Sequence, residues 1–175
     1  MGASEPSGGA ALLGGGAVIL VTIGSMFPFD RLIRAMDALA AEREEEILAQ
    51  IGDGAYEPRH MRFVRKLPRE EFIATIARAD LVVGHAGMGT VITAGEHGKA
   101  IVIMPRRAGL GEHTNDHQVD TAAWLGGRRG IFVAEDEQAL APAIARARSG
   151  GAVETIGARA PGDFLARIRA FAEKG

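Results

Sequence analysis

Two short apolar runs, Leu81-Val82-Val83 and Ala100 to Met104, bracket a glycine-rich turn and a helical segment, and this limits the possible folds more than any other feature. The first run stops at Gly84. His85-Ala86-Gly87-Met88-Gly89-Thr90 then reads as a small-residue turn, Val91 to His97 has helical character, and Pro105 closes the second run. Strand, turn, helix, strand is the βαβ order, and parallel neighbours need such a crossover. In open parallel sheets ligands sit beyond the carboxyl ends of the strands. Here that places them where the fourth and fifth strands end, beside the glycine turn and the polar loop from Arg106 to Gln118. Unpaired amides at the helix start, around Gly87 to Thr90, favour an anion such as a diphosphate.

The same alternation runs through the rest of the chain. Ala17 to Ile23 is a β-branched run of the kind buried in parallel sheets, ended by Gly24-Ser25. Phe29-Asp30 opens a helix with Leu32, Ile33, Met36 and Leu39 at helical spacing. Glu46 to Ile51 and Met61 to Leu67 read as strands joined by a loop through Tyr56, Pro58 and His60. Pro68, with Glu70 and Glu71 behind it, starts a helix that runs to Ala79 and turns Phe72, Ile73 and Ile76 inward. Asp116 to Leu125 is helical, Ile131 to Ala134 is a strand, and Glu137 to Arg148 is a helix carrying Pro142. Residues 1–16 read as a flexible tail, 17–150 as the folded domain, and 151–175 as a linker and a terminal helix with Phe164, Leu165, Ile168 and Phe171 on one face. About six strands alternating with helices predict an α/β, doubly wound, Rossmann-like parallel sheet.

Composition narrows the partners. A 175-residue chain with 47% hydrophobic residues and a formal charge of -2 is expected to be one globular unit with a substantial core. The charge balance and the single Trp and Tyr give no footprint for nucleic acid. Without cysteine there is neither a disulfide framework nor a thiolate metal site. The apolar stretch from Gly8 to Gly24 holds many glycines and no basic flank, unlike a signal peptide or a spanning helix. Pro6 stands where a myristoylation signal wants Ser or Thr, so no membrane anchor is expected.

Several residues carry chemistry, each with a plainer structural alternative. Gly87 and Gly89 would let backbone amides approach a diphosphate, with Thr90 adding a hydroxyl; a simple tight turn would use the same glycines. His85, just past a strand end, either faces the cleft or packs as a satisfied imidazole. Arg106 and Arg107 either neutralise diphosphate or hold a carboxylate. Asn115 and Asp116 are polar contacts or helix caps. His113 and His117 are four apart, but with no HExxH pattern and a loop start at His113, no metal site is expected.

The segments VTIG, FDRLI, ARADLVVGHAGMGT, GKAIVIMPRR and NDHQ together resemble the carboxyl-terminal, donor-binding domain of family 28 glycosyltransferases, from about Val18 to Gly150. The resemblance is strongest to the PssE-type split exopolysaccharide subunits and extends to MurG and to the small subunit of the dolichol-linked N-acetylglucosaminyltransferase. It implies one half of a GT-B architecture, with residues 17–150 as its nucleotide-sugar-binding domain. His85, Gly87, Met88, Gly89, Thr90, Arg106 and Arg107 would then face the donor diphosphate. Asn115, Asp116, His117 and Gln118 would face the donor sugar, Lys66 and Leu67 the uracil edge, and Gly24 and Ser25 would line the cleft. The ribose contact falls to Glu96 or Thr93, because the family's acidic position holds Thr93 here.

The implied activity is inverting transfer from a UDP-sugar, with glucuronic acid a candidate, to a lipid-linked acceptor in exopolysaccharide synthesis. A membrane-anchored partner would bind the acceptor at the inner face of the cytoplasmic membrane and supply the general base, His85 being the alternative base. No cofactor is implied and no divalent metal is required. Competing readings are a UDP-sugar 2-epimerase-like fragment, a non-catalytic nucleotide-binding regulatory module, and a metal hydrolase built on His113 and His117.

Overall fold

The computed structural model describes residues 18–150. The tail expected at 1–16 and the terminal helix expected to carry Phe164, Leu165, Ile168 and Phe171 lie outside the described residues.

Six strands form one parallel sheet: β1 (Val18–Thr22), β2 (Glu46–Gln50), β3 (Arg62–Val64), β4 (Leu81–His85), β5 (Ala100–Met104) and β6 (Ile131–Val133). Their spatial order is β3-β2-β1-β4-β5-β6, the doubly wound order in which the chain direction across the sheet reverses between β1 and β4. Register places Thr22 beside Gly84, and Gly84 in turn beside Ile103, so the ends of three central strands lie level at one edge.

The strand pleat divides the core in two. Ile19, Val21, Val83 and Val102 point to the face covered by α1 (Asp30–Ala40) and α5 (Leu140–Ser149). Leu20, Val82, Ile101 and Ile103 point to the face covered by α2 (Arg69–Arg78), α3 (Met88–Glu96) and α4 (His117–Leu125). Both faces being buried explains why these strands read as continuous apolar runs rather than alternating ones.

Several boundaries differ from the sequence reading. The third strand, expected over Met61 to Leu67, pairs only at Arg62 to Val64. It is an edge strand with one neighbour, and Arg65 and Lys66 turn outward to the Gly52, Gly54, Glu57 and Asp53 loop. The helix expected from Val91 begins at Met88, because extended Gly87 (φ -95°, ψ 128°) delivers the chain straight from β4 into the first turn. The helix expected from Glu137 starts at Leu140, since Asp136 Oδ1 takes the Ala139 amide at 2.9 Å and holds a turn there. No described helix is long and apolar enough to cross a membrane.

Asp37 shows how a polar residue organises the longest described loop before the site. It lies on the buried face of α1, 2% exposed, and accepts hydrogen bonds from the Tyr56 hydroxyl (2.6 Å) and the Arg59 and His60 amides (3.0 and 2.7 Å). Burial alone pushes this carboxyl up, but the Tyr56 hydroxyl, the two amides and the nearby His60 ring outweigh it and hold it below its ordinary value. Its stabilising contribution is therefore complete above pH 3.8 and is lost as pH falls through the lower folded value. Asp37→Ala strands two amides and a phenol, and a loss of about 2–4 kcal/mol is expected in urea denaturation near neutral pH. Tyr56→Phe, which strands one carboxylate lone pair, should cost about 1 kcal/mol.

Candidate nucleotide-sugar site

A cleft of about 770 Å³ opens at the carboxyl edge of the sheet, over the point where β1 and β4 part. Gln50 at the end of β2 lines it, and four further segments supply most of its walls. The β1–α1 loop gives Gly24, Ser25, Met26 and Phe27, and the start of α2 gives Arg69, Phe72 and Ile73. The β4–α3 turn gives His85, Gly87, Met88, Gly89, Thr90 and Thr93, and the β5–α4 loop gives Arg106, His113, Thr114, His117 and Gln118.

None of the lining residues is an Asp or Glu, whereas two arginines and three histidines are among them. A concave surface with that balance favours a polyanion. The first amides of α3 add to this, because those at a helix start have no intrahelical acceptor.

His85 is the centrepiece of the floor. Its ring lies between two glycines: a Cβ on Gly24 would stand 2.6 Å from its Cε1, and one on Gly87 would stand 2.0 Å from its Nε2. Gly24 also has φ +75°, where side chains other than glycine's are strained. Burial, then the positive charge of Arg106, push the His85 pKa down to about 3. A neutral imidazole that resists protonation so strongly is a poor proton acceptor at neutral pH. Its Nδ1 is buried without a hydrogen-bond partner.

Arg106 is 2% exposed and has no ion pair with an acid among the described residues. Its Nη2 donates to the Ile23 and Phe27 carbonyls (2.8 and 2.5 Å), its guanidinium lies 4.9 Å over the Phe29 ring, and its Nε is unpartnered. Burial lowers its pKa to about 10, with Glu112 opposing, so it stays cationic at neutral pH. It thus ties the β1–α1 loop down and leaves a buried positive charge under the cleft.

The β5–α4 loop is stapled from within. Glu112 accepts a bidentate pair from Arg31 (2.6 and 2.8 Å) and the Arg107 amide (2.9 Å). Asp116 Oδ1 accepts the Ala108 amide (2.8 Å), and Gln118 Oε1 accepts the Arg106 amide (3.1 Å). Phe27, His113 and His117 stack edge to face, with centroids 4.9 and 4.4 Å apart. Burial first, and then its neighbours His117 and Arg106, lower the His113 pKa.

Of the residues singled out in the sequence, the cleft gathers Gly24, Ser25, Leu67, His85, Gly87, Met88, Gly89, Thr90, Thr93, Arg106, His117 and Gln118. It does not gather Arg107, Glu96, Lys66, Asn115 or Asp116. Arg107 follows Arg106 on the opposite side of the chain, and its guanidinium donates to the Glu135 carbonyl (2.9 Å) at the β6 end. Glu96 sits on the exposed end of α3, so of the two ribose candidates only Thr93 borders the cleft. Lys66 pairs with Asp53 (3.0 Å) outside it, and the Leu67 amide is taken by Gln50 Oε1 (3.2 Å). Asp116 is spent inside its own loop, and Asn115 turns to His117. Among the described residues no three His, Cys, Asp or Glu side chains converge as metal ligands would.

Sequence reading missed Gln50, Arg69 and the half-buried Phe72 and Ile73. Gln50 had a visible signal: a polar residue closing a buried apolar strand at its ligand-facing end. Its amide nitrogen also reaches the Gly24 carbonyl at 3.4 Å, linking two walls of the cleft.

Solved structures share this fold. The glycosyltransferase SnogD from Streptomyces nogalater matches with a TM-score of 0.50 and 22% identity over 85% of this chain and 42% of its own. Os79 from O. sativa, in complex with UDP, matches at 0.58 and 15% over 90% and 40%. SsfS6 from Streptomyces sp. SF2575, complexed with thymidine diphosphate, matches at 0.55 and 19% over 97% and 40%. The chain therefore spans less than half the length of these glycosyltransferases. Comparison with curated proteins finds no match. The model of the glycosyltransferase family 28 C-terminal domain matches residues 18–155, all of the sheet and every wall of the cleft, and the chain belongs to that family.

Proposed function

We propose that this chain is the donor-binding subunit of a two-component inverting glycosyltransferase, similar to the PssE type and more distantly to MurG. It binds a UDP-sugar in the cleft, and a membrane-anchored partner presents a lipid-linked acceptor of exopolysaccharide synthesis. The carboxylate-free, cationic cleft at the start of α3 is the observation that carries this reading. Family membership supports the donor role.

In the reaction an acceptor hydroxyl attacks the anomeric carbon while the bond from that carbon to the diphosphate oxygen breaks. The electron pair leaves on UDP, and the hydroxyl proton goes to a base. The α3 amides and the buried Arg106 charge would stabilise the growing negative charge on UDP, with no reorganisation at the moment of transfer. The cleft offers no carboxylate and His85 is too weakly basic, so the base is assigned to the partner.

Calorimetric titration of the isolated chain with UDP, TDP, ADP and GDP is the first test. Saturable UDP binding, at least tenfold tighter than the others, is expected; no nucleotide binding would overturn the reading. Co-expression with the partner should then give transfer from UDP-glucuronate, UDP-glucose or UDP-N-acetylglucosamine. Epimerisation of a UDP-sugar by the isolated chain, or UDP binding with no transfer beside the partner, would replace it with the epimerase or regulatory alternative.

A further inference from the structure

The corner Asn115-Asp116-His117-Gln118 does not act as four equal sugar contacts. Asn115 Oδ1 receives the His117 backbone N–H at 3.2 Å and also meets the His117 ring nitrogen Nδ1. A backbone N–H can only donate, so the side-chain atom facing it is the amide oxygen and not the NH₂. An amide oxygen can only accept, and so the same geometry obliges Nδ1 of a neutral His117 to carry the hydrogen. The ring's lone pair is then on Nε2, which makes no hydrogen bond within the described residues, on a side chain that borders the cleft.

The neighbouring residue is fixed in the opposite sense. Gln118 is 4% exposed and its Oε1 is taken by the Arg106 amide at 3.1 Å. Its NH₂ has no protein partner in the described residues, so it offers donors only. The Phe27–His113–His117 stack holds the imidazole plane, with centroids 4.9 and 4.4 Å apart.

We infer that Asn115 is a positioning residue that locks His117 as the Nδ1–H tautomer, so that the pair His117–Gln118 presents one lone pair and one amide donor to the bound sugar. A ligand satisfies it with one hydroxyl donating to His117 Nε2 and another oxygen accepting from Gln118. The inference rests on the nucleotide-sugar reading of the cleft for its ligand, though not for its tautomer.

Ring-nitrogen NMR on the ¹⁵N-labelled chain, at a pH where the imidazoles are neutral, tests it without turnover. Wild-type His117 should show a protonated Nδ1 and an unprotonated Nε2. Asn115→Ala should populate the Nε2–H form and weaken binding of a UDP-sugar about three- to tenfold, the worth of one hydrogen bond, with UDP itself bound as before. Asn115→Asp keeps an acceptor oxygen and should restore the Nδ1–H form. A wild-type ring protonated at Nε2, or an Asn115→Ala chain with unchanged tautomer and sugar affinity, would overturn the proposal. Absence of UDP binding would instead overturn the site reading, leaving the tautomer result to stand by itself.

Discussion

Between about pH 6.5 and pH 4 the protein is expected to lose several kcal/mol of stability, at up to about 1.4 kcal/mol per pH unit, and His85 is the main reason. Burial first, and then the charges of Arg106 and His113, hold its folded pKa near 3, with the Thr22 backbone acting the other way; the unfolded value is 6.5. Between those values the unfolded chain binds a proton that the folded chain refuses. Stability is therefore at its full level above pH 6.5 and falls as pH drops toward the folded value. His113, also lowered, contributes in the same direction, while Asp37 acts only below 3.8. Urea denaturation at several pH values in this window should show the slope, and His85→Gln should flatten most of it whatever that variant's stability at neutral pH. A wild-type curve level down to about pH 4.5, or an unchanged slope in His85→Gln, would show that protonation of this ring is not what unfolds the protein.

The sheet was legible because its strands are buried on both faces, and uninterrupted apolar runs such as Val18 to Thr22 and Ala100 to Met104 have few other homes. The edge strand was misjudged for the converse reason: Arg62 to Val64 has one neighbour and a partly exposed face, so nothing in its own pattern marks where pairing ends. At the site, the residues carried by rigid element ends were placed well. His85, Gly87 and Thr90 follow from the βαβ order itself. The β5–α4 loop residues divided: Arg106, His117 and Gln118 border the cleft, whereas Arg107, Asn115 and Asp116 do not. A two-way choice at a strand end sent Arg106 under the cleft and Arg107 to the Glu135 carbonyl, and periodicity cannot say where a strand stops alternating. The loop acids show the same limit. Glu112 and Asp116 are consumed by amides and by Arg31 from a helix 81 residues away in sequence, a partnership no local pattern contains.

Alanine at Gly87 and alanine at Gly89 are expected to fail in opposite ways, though the two positions are neighbours in one turn. At Gly87 the new methyl would lie 2.0 Å from His85 Nε2 and 2.7 Å from its Cδ2. The ring has no room to retreat, because on its other side Gly24 is already closed to a Cβ at 2.6 Å. Gly87→Ala should therefore cost about 1–3 kcal/mol in stability through forced repacking. At Gly89 nothing in the protein lies within 4 Å of the built Cβ, and the residue is exposed at the second position of α3. Alanine there is neutral or mildly stabilising for the fold, by up to roughly 0.5–1 kcal/mol, since glycine is the poorer helix former. If a diphosphate rests on the α3 amides, however, that methyl intrudes on the ligand, and UDP affinity should fall about tenfold to a hundredfold, the equivalent of 1.4–2.8 kcal/mol. Thermal denaturation of both variants, beside UDP titration of Gly89→Ala, reads the two effects separately. A Gly89→Ala chain that binds UDP as the wild type does would place the diphosphate somewhere other than the start of α3. The same chain with normal stability and lost affinity would leave the ligand as the only thing that open space accommodates.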